Sequence, residues 1–305
     1  MTALPDGVYP TMLTPFTDDL WVDYAALEPL LRWYEDRGVA GVFAVCQSSE
    51  MFQLNFDERL GILRQLMRLR QPGTAMVASG HVSEDSATAV REAQAFIAEG
   101  IDAYVFITNR FARENESDEV FLQRLDGVAR HLGDFPLGFY ECPFPSRRLL
   151  SPGAIKRLPE IGNFVFLKDT CCDLTQIKRK LAAAQGSNLK IFNANSAMLL
   201  ESLQAGCAGF SGVMGNFHPR LYVKLCVCWR SEPVLAERIQ NFVGPLSAVE
   251  AQLYPVNAKY HMQLDGVPMG LAARSKDAAQ LSLNARHVTR QMRELAMAFE
   301  QDILA

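Results

Sequence analysis

Large apolar residues run straight into a lysine in the stretch NFVFLKDT, residues 163–170. An ammonium group closing such a run must either pair or react. Burial disfavours the charged form, lowers the pKa and frees the amine as a nucleophile. The chemistry this implies for Lys168 is attack on a ketone or aldehyde to form a Schiff base, whose cationic nitrogen draws electrons from the neighbouring carbon. The competing reading of Lys168 is a structural ion pair with the adjacent Asp169. Earlier in the chain, PLGFYECP closes another apolar run in Tyr140. A phenol there can pass a proton to and from a substrate oxygen while a Schiff base forms and collapses; its alternative is plain core packing. A third candidate is the loop CQSSE, where the backbone N–H groups of Gln47, Ser48 and Ser49 can form a nest for a carboxylate. Glu50 is either a site residue or a hydrogen-bonded strut, and the strut is favoured.

The elements that must position these residues alternate along the chain. Leu27, Leu30, Leu31 and Tyr34 make one helical stripe after Asp23 as N-cap; Leu60, Leu63 and Met67 repeat it, and so do Val90, Ala93 and Ile97. Between the helical patterns lie eight short apolar runs, near 8–13 and at 42–46, 75–79, 103–107, 136–140, 164–167, 189–192 and 209–213. Continuous apolarity predicts parallel strands covered on both faces. Gly38, Gly73, Gly100, Gly133, Gly186 and Gly206 stand where a helix should stop. Eight strand–helix pairs predict a (β/α)8 TIM barrel over residues 1–216. A C-terminal helical extension follows over 217–305, comprising the last barrel helix and added helices. In such barrels the reacting groups lie at the C-terminal ends of strands, and of eight lysines only Lys168 closes a strongly apolar strand. Lys156, Lys178, Lys180, Lys224 and Lys276 fall in polar or amphipathic helical surroundings. Lys190 begins a strand, and Lys259 is a solvated face residue or a rim contact.

Composition removes other classes. Charged residues of both signs are scattered around a net charge of −4, so no polybasic segment points to nucleic acid or an anionic membrane. The N-terminal residues lack a basic and then apolar leader, and no apolar run approaches the ~18 residues of a membrane span; a soluble cytoplasmic protein is expected. Seven cysteines without a paired C-x-x-C pattern are expected to be reduced thiols. Cys171-Cys172 or Cys226 with Cys228 holding a soft metal is the weaker alternative. No nucleotide-binding glycine motif follows a strand.

Taken together these residues resemble the dihydrodipicolinate synthase and N-acetylneuraminate lyase family, pyruvate-type class I aldolases on a (β/α)8 barrel. The resemblance covers nearly the whole chain. It rests on LTPF at 13–16, the CQSSE loop in place of G-[TS]-T-G-E, YECP for Y-N-x-P, and the strand ending in Lys168. GFSGVMGN near the eighth strand, which carries Ser211, and YPVNAK for NP-x-P-x-K complete it. The resemblance implies that Lys168 is the Schiff-base lysine and Tyr140 the proton-transfer residue. Gln47, Ser48 and Ser49 would then hold a 2-oxo acid carboxylate, with Asn109 and Ser211 in the substrate site. It further implies a homo-oligomer, tetramer or dimer, and neither a metal nor an organic cofactor, the lysine being the electron sink. The expected activity is a carbon–carbon lyase acting on pyruvate or another 2-oxo acid. Dehydration of a keto-deoxy sugar acid, genuine 4-hydroxy-tetrahydrodipicolinate synthesis and a non-catalytic 2-oxo acid-binding regulator are the alternatives.

Departures limit the resemblance. Cys46 and Ser49 replace both loop glycines, which is expected to reshape the nest. Gln47 replaces the first hydroxyl of a proton relay, and Asn109 stands where the relay's tyrosine from a neighbouring subunit belongs. Arg147 is the nearest match to the arginine that binds the second substrate's carboxylate, with Arg148 competing for the role. Glu141 replaces an asparagine and is expected to add negative charge beside the mouth.

Overall fold

The computed structural model describes residues 4–304. Eight parallel strands form one sheet: β1 (Gly7–Val8), β2 (Gly41–Ala44), β3 (Ala75–Ala78), β4 (Ala103–Ile107), β5 (Leu137–Tyr140), β6 (Phe164–Asp169), β7 (Lys190–Asn193) and β8 (Gly209–Phe210). β1 pairs with β8, and a parallel bridge between Thr11 and Phe43 closes the ring onto β2. The chain folds as a (β/α)8 barrel with C-terminal helices. The run expected at 209–213 is a strand only over its first two residues, and a 3-10 turn begins at Val213.

Seven helices follow the first seven strands: α1 (Leu27–Glu35), α2 (Phe56–Leu69), α3 (Ser86–Ala98), α4 (Asp118–Ala129), α5 (Pro152–Arg157), α6 (Leu174–Ala184) and α7 (Leu199–Ala205). α8 (Pro219–Cys228) packs on β1 and β8 as the eighth. α9 (Pro233–Leu246), α10 (Val256–Leu264) and α11 (Leu283–Leu304) are added beyond it. Ile239, Val243, Met262 and Met292 from these three helices join the same buried cluster as the barrel. Leu27, Leu30, Leu31 and Tyr34 are buried as their spacing predicts. Asp23 is not the N-cap of α1: Ala26 is, and the Asp23 carboxylate accepts the N–H groups of Ala25 and Ala26 one turn earlier. In α3 the buried stripe runs through Ala89, Glu92, Ala93 and Phe96, one step round from the expected face, with Val90 and Ile97 half-buried.

The barrel's centre is aromatic. Tyr9 meets Phe166 and Phe192 edge-on at 5.6 and 4.9 Å, and Phe43 meets Phe166 and Tyr140 at 5.8 Å. Each fully buried ring of this kind contributes about 1.5–3 kcal/mol through removal of apolar surface from water. Room for them comes from missing side chains: a Cβ at Gly138 would lie 2.8 Å from the Phe166 carbonyl oxygen, and one at Gly41 would lie 2.4 Å from the Tyr9 ring. This floor of rings carries the residues above it at the strands' C-terminal ends.

Candidate active site

Strand pairing places Tyr140 opposite Lys168. Side chains alternate along a strand, so Lys168 shares the inner face with Phe166 two residues before it. Its Nζ lies 4.3 Å from the centre of the Tyr140 ring and 5.7 Å from that of Phe43. The residue is 3% exposed and forms no ion pair among the described residues. Burial lowers its pKa, against the opposing charges of the Cys46 and Cys142 thiols and the Glu250 carboxyl. Burial also raises Tyr140 well above the ordinary phenol value, so its proton is firmly held.

The competing pair with Asp169 does not form. Asp169 points to the opposite face of β6 and accepts Lys180 Nζ at 2.5 Å, as does Glu141 at 2.5 Å. Lys180, expected in polar or amphipathic helical surroundings, is 1% exposed. Its burial disfavours the charge, but the two carboxylates outweigh that and leave its pKa raised. Glu141 does not add charge to the mouth: it is fully buried, accepts the N–H groups of Leu150 and Thr170, and is neutralised by Lys180. Burial pushes its carboxyl up to about 7, with Lys180 opposing. Lys259 is likewise neither solvated nor a rim residue. It is fully buried and donates to Glu50 Oε1 at 3.0 Å and to the Ala272 carbonyl at 2.6 Å, while Glu50 Oε2 accepts the Ser275 N–H. Glu50 is thus a strut between the loop after β2 and the segment around residues 272–275.

That loop forms a 3-10 turn over Gln47–Ser49. The Ser49 N–H is already bonded to the Cys46 carbonyl at 3.0 Å, which leaves the first two N–H groups of the turn, Gln47 and Ser48, as the donors a carboxylate would meet. The left-handed angles fall one residue outside the two substituted positions, at Val45 (φ 48°) and Glu50 (φ 60°), while Cys46 is extended. For a β-branched valine that conformation costs roughly 1–2 kcal/mol, held by the surrounding core. Gln47 Oε1 accepts the Tyr140 hydroxyl at 3.0 Å. Ser48 donates to Thr11 Oγ1 at 3.0 Å, and Ser49 to the Met12 carbonyl at 2.6 Å.

Several other sequence candidates are occupied elsewhere. Ser211 donates to the Tyr9 carbonyl. Arg148 is buried, with its guanidinium donating to carbonyls of residues 113–116 and to Asp118, and Arg147 is exposed. Asn109 donates through Nδ2 to the carbonyls of Cys142, Phe144 and Ser146 at 2.7–3.0 Å, fastening the loop after Tyr140. Asn109→Ala is therefore expected to lose ~1–3 kcal/mol in urea unfolding, from buried carbonyls left without a donor, while still forming a pyruvate adduct. Loss of the adduct at unchanged stability would instead assign Asn109 to ligand binding.

Above Tyr140 opens a cavity of about 390 Å³. Gln47 and Ser48 line it beside Tyr140, with Phe52, Phe144 and Tyr254 as its aromatic walls. Tyr254, unassigned by the sequence patterns although it opens YPVNAK, accepts a hydrogen bond from Asn216 Nδ2 at 3.0 Å. Glu250, on the turn Ser247–Ala251, is half-buried, and burial pushes its carboxyl up to about 7 against the pull of Lys168. No sequence signal marked it. Above its pKa the Glu250 carboxylate favours the Lys168 ammonium, so it opposes the rise in amine reactivity with pH. In Glu250→Gln the pH–rate profile for adduct formation is expected to rise at lower pH than in the parent. A profile that stays put or moves upward would contradict this coupling.

Among the described residues, an amine without an ion pair and a phenol stand side by side at the C-terminal strand ends of a closed parallel barrel, groups suited to carbonyl chemistry. The chain belongs to the dihydrodipicolinate synthetase family, whose family model matches residues 4–288. It is 25% identical over 271 residues, 88% of both chains, to the 4-hydroxy-tetrahydrodipicolinate synthase of Methanothrix thermoacetophila. It is 27% identical to that of Acidiphilium cryptum, over 85% of this chain and 88% of the relative. Among solved structures, the chloride-inhibited dihydrodipicolinate synthase of Acinetobacter baumannii in complex with pyruvate superposes with a TM-score of 0.85 at 21% identity, covering 96% of this chain and 99% of that one. A prophage protein of the same family from E. coli K12, also in complex with pyruvate, superposes at 0.85 with 20% identity over 98% and 99% of the two chains.

Proposed function

We propose that the protein is a carbon–carbon lyase that forms a Schiff base between Lys168 and pyruvate or another 2-oxo acid. The observation that carries this reading is the buried Lys168 amine, set against Tyr140 and left free because Lys180 takes Asp169. Family membership and the pyruvate complexes of the two structural relatives support the substrate class.

The chemistry follows from the groups present. The lone pair of Lys168 Nζ attacks the C2 carbonyl carbon, and the oxygen takes a proton that Tyr140 is placed to supply. Loss of water gives the iminium, and loss of a C3 proton sends its electron pair toward nitrogen to give the enamine. The enamine carbon then attacks an aldehyde, and hydrolysis releases the product and returns the lysine; cleavage runs the same steps backward. The Gln47 and Ser48 N–H groups, as helix-start donors, suit the 2-oxo acid carboxylate.

Treating the protein with borohydride and pyruvate is expected to add one N-(1-carboxyethyl) group, mapped by mass spectrometry to the peptide carrying Lys168. No adduct, or an adduct on another lysine, would overturn the assignment. The finer parts of the reading are self-association and a cytoplasmic location. Exposed Leu20, Trp21 and Tyr24, clustered in one segment, support the first, and seven free cysteines support the second. Among the described residues no helix is long and apolar enough to cross a membrane, and no group of three His, Cys, Asp or Glu side chains is placed to hold a metal ion.

A further inference from the structure

Which aldehyde the enamine meets is a question the cavity walls address. Phe52 and Phe144 tilt together with ring centres 5.1 Å apart. Phe144 is 49% exposed, and with Pro143, Pro255 and Val213 it makes the wall facing Tyr140 and Tyr254 largely apolar. A half-exposed phenylalanine at the mouth of a cavity is surface waiting to be covered by a ligand.

The polar lining next to Tyr140 is engaged. Gln47 accepts from Tyr140, and Ser48 donates to Thr11. Lys276, exposed at the rim, is the one charged lining side chain. Of the arginines nearby, Arg148 is committed to carbonyls and Asp118 and Arg274 to Glu58 and the Leu20 and Gln53 carbonyls, while Arg147 is exposed and outside the cavity lining. A second substrate carboxylate entering the cavity would be desolvated without the bidentate cation such a group needs. A polyhydroxylated aldehyde would set hydroxyls against proline and phenylalanine walls with few partners. A flat, uncharged ring meets neither obstacle and stacks on the aromatic surfaces.

We propose that the carbonyl partner is an aromatic aldehyde, held against Phe52, Phe144 and Tyr254 while the enamine on Lys168 attacks it. This rests on the Schiff-base reading above and specifies its second substrate. The C3 carbon of the enamine bonds to the aldehyde carbon, whose π pair moves to oxygen and takes a proton. One water then hydrolyses the iminium to release a 4-aryl-4-hydroxy-2-oxobutanoate and the free lysine. No electrons are gained or lost overall, and the ring has about 390 Å³ of cavity beside Tyr140, whose own ring lies 4.3 Å from Lys168 Nζ.

The test offers the full-length protein pyruvate with benzaldehyde, glyceraldehyde or succinic semialdehyde, and follows each condensation product by mass spectrometry. Benzaldehyde is expected to exceed the other two in kcat/KM by about tenfold or more, the discrimination an apolar pocket provides. In Phe144→Ala and Phe52→Leu that preference is expected to fall roughly fivefold to tenfold. Equal or better use of glyceraldehyde or succinic semialdehyde, or a preference unmoved in both variants, overturns the inference while a pyruvate adduct still stands. Absence of the pyruvate adduct overturns the Schiff-base reading, and this inference with it.

Discussion

In Lys168→Ala, borohydride trapping of pyruvate is expected to fall to background and turnover to drop by roughly 10⁴-fold or more, because the covalent route is removed rather than weakened. Other lysines cannot take over: Lys180 and Lys259 are buried and held by carboxylates, and Lys276 stands at the rim. Stability should not follow activity. Among the described residues Lys168 makes no ion pair, so folding gains little from its charge and bears the cost of desolvating it. Lys168→Met, which keeps the volume among Phe43, Tyr140 and Phe166, is expected to unfold at the same or a higher temperature than the parent. A variant that loses turnover only because it unfolds would refute this account of Lys168; so would one that keeps its adduct.

The opposite pattern is expected at Lys180. Lys180→Met leaves Glu141 and Asp169, each fully buried, without their shared cation. Removing one partner of a buried ion cluster costs ~3–5 kcal/mol, measured here by urea unfolding. The pH dependence has a definite sign. Burial already holds the Glu141 carboxyl above its ordinary value against Lys180, so without Lys180 the folded chain holds a proton there that the unfolded chain releases, and stability rises as pH falls toward 5. Adding Glu141→Gln and Asp169→Asn to Lys180→Met should restore most of the loss at neutral pH. A loss below ~1 kcal/mol, or one that deepens on acidification, would show that the cluster does not hold β5, β6 and α6 together. Because the cluster lies directly behind Lys168, its collapse should also lower adduct formation, a secondary effect that the triple variant should reverse.

The barrel was legible because parallel strands covered on both faces read as unbroken apolar runs, and because glycine marks helix ends: all six expected glycines have φ between +60° and +114°. Lys168 was legible for the same reason, as a charge interrupting such a run, and Tyr140 because the strand register follows from the runs. The roles of Lys180 and Lys259 were hidden by their helices. Nothing in an amphipathic pattern reveals that one residue reaches Glu141 and Asp169 and the other Glu50, 209 positions away. Asn109 and Arg148 were misleading for a related reason: their donors are consumed by carbonyls of irregular loops, whose paths no periodicity encodes. Glu250 and the walls of the cavity depend on where the C-terminal helices settle over the barrel mouth, which is a matter of tertiary packing alone.

The hydrogen bond from Tyr140 to Gln47 has a consequence for how protons reach the site. An amide oxygen accepts a proton's hydrogen bond but has no ionisable hydrogen of its own to hand onward, so the chain of hydroxyls that would resupply the phenol stops at its first link. Tyr140 is then expected to exchange protons with solvent entering the cavity. Its protonation becomes answerable to the medium, and small buffer acids and bases able to enter should speed turnover at constant pH.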